Sequence, residues 1–184
     1  MWQLITVCVA FLIFISYNLV VFRLFGVPKS LSESFYLYKN KCYKSEYNHL
    51  GYIFTGFMFA MAMCLIPAWL EISDAWSSWS SNFTFLAFFA AASIAFVGAA
   101  PAFRVNKMEG TVHEVAAKVA AAASLIWCFV ICYNIAYVPV IGAAIPAIGG
   151  WITKTWKTTQ IYWLEMMAFG ATFATVITAA SILL

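Results

Sequence analysis

Charge is nearly missing from this sequence. Lysine, arginine, aspartate and glutamate make up 9% of its 184 residues, where a soluble domain carries roughly a quarter. With 65% hydrophobic residues and a mean hydropathy of +0.89, that scarcity excludes a soluble globular reading. No polar stretch is long enough for a second domain, so 1–184 reads as a single transmembrane domain. Chemical signatures are missing as well: no phosphate-binding glycine loop, nucleophile elbow, Ser/His/Asp arrangement or zinc spacing is present. The cysteines Cys8, Cys42, Cys64, Cys128 and Cys132 show no disulfide-framework spacing. A net charge of +3 gives no reason to expect nucleic acid, and neither a cofactor nor a metal is implied.

What the sequence does have is long apolar runs. A spanning helix needs about 20 mainly apolar residues, and five segments qualify, about 2–22, 50–70, 83–103, 112–138 and 161–184. The first has no positive start and is followed by its first cation, Arg23, so it reads as a retained helix rather than a signal peptide. Arg23, Lys29, Lys39, Lys41 and Lys44 fall in one loop, and Arg104, Lys107 and Lys118 fall around another on the same side. Only Lys154 and Lys157 are left for the opposite face. Because cytoplasmic loops are rich in Lys and Arg, the expectation is an N-terminus outside and a C-terminus inside a bacterial inner membrane. Aromatic residues give the same boundaries: Trp2, Trp69, Trp76, Trp79, Trp151, Trp156 and Trp163 on the outer side, Tyr36, Tyr38, Tyr43, Tyr47 and Tyr52 on the inner.

The expected fold is therefore all-α, a bundle of five transmembrane helices. Ser30 to Glu33 forms a capping-box pattern after Pro28, which predicts a short cytoplasmic interfacial helix between helices one and two. The apolar stretch Ile141 to Gln160, opening with Gly142 and containing Pro146, Gly149 and Gly150, is read as an irregular loop on the outer surface. A re-entrant turn is the alternative. Small-residue faces suit close packing in lipid: Ala91, Ala95, Gly98 and Ala102 on helix three; Ala117, Ala121, Ser124 and Cys128 on helix four; Ala171, Ala174, Thr178 and Ser181 on helix five. These three helices are expected at the centre, with helix one facing lipid.

Ionisable groups near or within a membrane are candidates for function. The inner end of helix four carries His113, Glu114 and Lys118, and His49 opens helix two at a similar depth. Glu46 and Glu109 could join them in a headgroup-binding pocket, a proton relay or a metal site. Against that, Thr111 to Glu114 is itself a capping box, and Glu114 with Lys118 is an i, i+4 pair. Glu165 is the second candidate, an ion or proton site near the outer boundary beside Lys154 and Lys157. Asn18 and Asn134 read as interhelical hydrogen-bonding residues. Met58, Met61, Met63 and Cys64, with Cys128 and Cys132, could offer soft metal ligands but read better as core.

The phrases Phe25-Gly26-Val27-Pro28-Lys29-Ser30-Leu31-Ser32 and Val97-Gly98-Ala99-Ala100-Pro101-Ala102-Phe103, followed by Val112-His113, resemble a group of small multi-pass membrane proteins from gut Bacteroides-type bacteria and their phages. The resemblance implies a multi-pass membrane fold and no particular activity. Size and small-residue faces point first to an oligomeric channel or transporter for an ion or small solute. Two other classes stay open: a protein that binds or modifies lipid at the inner leaflet, and a non-catalytic accessory subunit. Membrane lipids and further copies of the chain are the expected partners.

Overall fold

The computed structural model describes residues 2–41 and 49–183, and all regular structure among them is helical. Cys42, Tyr43, Lys44, Glu46 and Tyr47 lie outside the described residues. Helix α1 (Trp2–Phe25) buries Val7, Ala10, Phe14, Tyr17 and Val21 and exposes most of the rest. This alternating three- and four-residue spacing gives a single narrow seam, and α1 is the least buried of the long helices, as its Val/Leu/Ile/Phe content predicts. It stops at Gly26, whose φ of 74° lies in the left-handed region and whose N–H bonds Phe22 O at 3.0 Å, a glycine cap with Pro28 just beyond it.

A short 3-10 turn (Leu31–Glu33) and α2 (Ser34–Lys41) follow. Ser30 accepts from Glu33 N as the pattern predicts, but the Glu33 carboxylate reaches back to Lys29 N. Leu31, Ser34, Phe35 and Tyr38 are buried, so this segment is packed into one end of the bundle. Then come α3 (Tyr52–Trp76), a single turn α4 (Ser78–Ser81), α5 (Thr84–Ala99), α6 (Lys107–Ile131), α7 (Tyr137–Ile152) and α8 (Gln160–Leu183).

Four helices, α1, α3, α6 and α8, are long and apolar enough to cross a membrane. The chain is thus a helical protein of membrane type. The third expected span is shorter than predicted: α5 has 16 residues, about 24 Å at 1.5 Å per residue. The fourth begins earlier and ends earlier than 112–138. Asn106 caps it by accepting from Met108 N and Glu109 N, and Thr111 is already inside it, bonding Lys107 O. The Thr111–Glu114 capping box is therefore not the helix start.

The larger correction concerns the stretch after Ile141. It is not an irregular loop but the body of α7, which runs antiparallel against α8. Gly142 meets Gly170 and Ala174, while Gly149 and Gly150 meet Trp163. In an apolar setting the backbone must satisfy its own hydrogen bonds, which favours helix even in a glycine-rich segment. The glycines then give the helix a surface flat enough to touch its neighbour.

This extra helix reverses the position of α8. Tyr162, at the start of α8, donates its N–H to Lys29 O and its hydroxyl to Asn18, at the far end of α1. Further along, Phe169 and Phe173 meet Phe14 and Phe11. So α8 lies antiparallel to α1, and the chain starts and finishes at the same end of the bundle, not at opposite ends. Lys154 and Lys157, in the α7–α8 turn, join Arg23, Lys29, Lys39, Lys41, Arg104, Lys107 and Lys118 at the other end, here called the basic end. Trp151, Trp156 and Trp163 move there too. Every described Lys and Arg thus sits in the basic half, while Glu71 and Asp74 lie towards the opposite end of α3.

Candidate functional site

Of His113, Glu114, Lys118 and His49, the first three are each engaged by partners that account for them. His113 is buried and donates from Nδ1 to Ala100 O at 3.0 Å, with its ring stacked on Phe103 at 4.4 Å. It satisfies a carbonyl left open at the end of α5, a structural job. Glu114 and Lys118 form an exposed pair with one another at 2.5 Å, and His49 is exposed at the base of α3. Glu109 accepts from Ala102 N, holding the α5–α6 turn. Among the described residues no group of three or more His, Cys, Asp or Glu could hold a metal ion. The sulfur set disperses as well, since Met61 and Cys128 are buried while Met63 is exposed.

Asn18 meets the interhelical role expected of it, bonding Phe14 O and receiving the Tyr162 hydroxyl. Asn134 does not. It is exposed in the turn between α6 and α7, because α6 ends before reaching it.

The α5–α6 turn is fastened to the 31–41 segment by a pair that sequence reasoning missed. Arg104 bonds Glu33 Oε1 at 2.9 Å, lies over the Tyr36 ring at 5.1 Å, and donates its backbone N–H to the Tyr36 hydroxyl at 2.8 Å. Glu33 had been explained by its capping pattern alone. Beside it, Tyr17 and Ser34 share a hydroxyl hydrogen bond, and burial pushes the Tyr38 phenol above its ordinary value.

Glu165 is the candidate that gains. It does not sit at the opposite boundary. Its Oε2 accepts the backbone N–H of Leu31 at 2.6 Å, a contact made possible by the reversal of α8. The carboxylate therefore lies at the basic end, behind the 3-10 turn, in the wall of a cavity of about 70 Å³. That cavity runs between α3, α5, α6 and α8. Alanines form much of its walls: Ala117, Ala120 and Ala121 from α6, and Ala168 from α8. These alanines are only half-buried, and the cavity is not fully enclosed, so the α6–α8 seam is its thin side.

Its polar groups are few. At the basic end are Glu165 and Ser32; further in lie Ser124, Thr172 and Trp69. Trp69 is 1% exposed, and its indole N–H has no hydrogen-bond partner. A buried donor left unpaired costs about 1–3 kcal/mol, and such groups in a fold call for an explanation. The neighbouring indole, Trp127, is satisfied by Ser73 Oγ at 2.8 Å. Sequence reading placed Trp69 at the membrane boundary, yet it lies seven residues inside α3, whose last residue is Trp76. That depth was the available signal.

The fold and this cavity define a class: a membrane-type helical bundle with one carboxylate facing an apolar internal space. No known protein family, curated protein or solved structure matches the chain.

Proposed function

We propose that the chain is a multi-pass membrane protein that binds an amphiphile taken laterally from the bilayer, the lipid-handling class rather than a channel. The observation that supports it is the alanine-walled cavity, thin along the α6–α8 seam, with Glu165 at one end. Ligand sites are mostly apolar with a few placed polar groups, and this cavity has that composition. An aqueous pore would need a continuous polar lining, whereas apolar cavities stay dry. In this reading α5 and α7 also cross, making six passes, with the bilayer thinned locally to match their length. The basic end faces the cytoplasm of a bacterial cell, by the excess of Lys and Arg there.

A single-chain lipid carrying a photoactivatable group in its alkyl chain tests this in reconstituted protein. Label is expected on 117–124 and 168–172, and Ala121→Leu with Ala168→Leu, which fill the seam, should remove it. Labelling confined to the outer faces of α5 and α7, unchanged by those substitutions, refutes the reading. The transport reading draws on the same carboxylate, and ion flux through protein-containing liposomes would favour it instead.

A further inference from the structure

We infer that the ligand of this cavity is a single-chain amphiphile with a primary amine head at Glu165 and a hydrogen-bond acceptor further along its chain at Trp69. The inference rests on the amphiphile-binding reading above and fixes the chemistry of its ligand.

Three observations combine. First, the head position is acidic and acceptor-rich: Glu165 uses Oε2 on Leu31 N at 2.6 Å, and its side chain remains part of the cavity wall. A carboxylate is an acceptor-only group and selects a donor, most strongly a cationic one. It offers a fatty-acid carboxylate or a phosphate no cationic partner. Among the described residues, the cations of the basic end do not line this cavity, and Glu165 is its only charged lining residue.

Second, the deep position is a donor. Trp69 is one of the residues lining the cavity, and its Nε1–H is buried and unpartnered. An indole can only donate, so what meets it is a hydroxyl, carbonyl or ether oxygen. The two positions are separated along the bundle. Cys128 Sγ reaches Thr172 Oγ1, and Trp127 packs on Trp69 at 5.9 Å, which puts Trp69 near the level of Thr172. Glu165 and Thr172 are seven residues apart on α8, about 10 Å at 1.5 Å per residue.

Third, the space between is narrow and apolar. Ala117, Ala120, Ala121 and Ala168, with Met58 and Phe169, line a cavity of about 70 Å³. A space of that volume suits a slim alkyl chain better than a fused ring system.

The test is calorimetric titration of the whole protein in nanodiscs of phosphatidylcholine. Probes are ω-aminooctanol, octylamine, octanol and octanoic acid. Aminooctanol should bind tightest and octanoic acid least. Glu165→Gln should weaken both amines by roughly 10- to 100-fold, the range expected for losing a charged hydrogen bond. Trp69→Phe keeps the ring and deletes the N–H. It should weaken aminooctanol about tenfold and leave octylamine unchanged, a difference that altered folding would not produce.

Octanoic acid binding as well as octylamine, or Trp69→Phe acting equally on both amines, overturns the assignment. Phosphatidylethanolamine in the disc competing as strongly as octylamine overturns its single-chain part. If the photoactivatable lipid still labels 117–124 and 168–172 in those cases, the amphiphile-binding reading survives and only the ligand chemistry is wrong. Absence of labelling removes both.

Discussion

Replacing Gly142 by Ala should loosen the α7–α8 pair, and the size of the effect follows from what surrounds each glycine. A Cβ at Gly142 would run into the Gly170 carbonyl oxygen and the Ala174 methyl. The first obstacle is backbone and cannot rotate away, so the helices must move apart. Overpacking of this kind costs about 1–3 kcal/mol, partly offset by the gain of up to about 1 kcal/mol in helix propensity on going from Gly to Ala. The net expectation is a loss of up to about 2 kcal/mol. Gly56 is the matched control, since a Cβ there meets nothing within 4 Å, and Gly56→Ala should gain the propensity term alone. The two variants share the propensity term, so they should differ by the overpacking cost of about 1–3 kcal/mol, and at about 2–4 °C per kcal/mol for a chain of this size their melting temperatures should separate by about 2–12 °C. Tryptophan fluorescence on heating in one detergent measures this. Equal melting temperatures, or a Gly142→Ala protein that melts above wild type, would refute the close approach and with it the helical reading of 137–152.

The position of the α7–α8 turn can be read by sided labelling in intact cells with a cysteine-free background. A cysteine at Lys154 should react from the same side as one at Lys29, and one at Asp74 from the opposite side; Lys154 reacting with Asp74 would restore the five-span topology. His113→Ala removes a buried stack and the Ala100 hydrogen bond, for an expected loss of about 2–4 kcal/mol, seen as a lower melting temperature with any ligand affinity of the folded fraction intact; reduced affinity at unchanged stability would return His113 to the list of functional residues. Glu114→Gln breaks only an exposed i, i+4 pair, and neither stability nor ligand binding should change measurably.

Much of the fold was legible because it depends on local pattern. The apolar runs mark α1, α3, α6 and α8, and Pro28 with Ser30 and Glu33 marks the turn after α1. Glycine at 142, 149 and 150 misled because its helix penalty, up to about 1 kcal/mol per residue, is outweighed here by internal backbone hydrogen bonding and by close packing on α8. Packed on α8, the same residues allow contact that larger ones would prevent. Once α7 was missed, α8 was placed upside down. Glu165 then appeared at the wrong boundary, and Lys154 and Lys157 appeared as exceptions to the charge asymmetry. His113 was singled out correctly as a surplus polar residue, but its partner is a helix-end carbonyl at Ala100, and no side-chain pattern records where such carbonyls lie. Trp69 was assigned by residue type, while its role depends on depth.

The sequence by itself determined the solvent and the charge distribution. Nearly uncharged apolar runs specify helices for a membrane, and Lys and Arg gathered in and beside a few connections specify a charge asymmetry, with Lys154 and Lys157 as its exceptions. Only the tertiary structure decided which polar groups meet. The Leu31 N–H and the Glu165 carboxylate are 134 positions apart in the chain. They meet because α7 turns α8 round, and that helix depends on glycines whose value is fixed by the neighbour they touch.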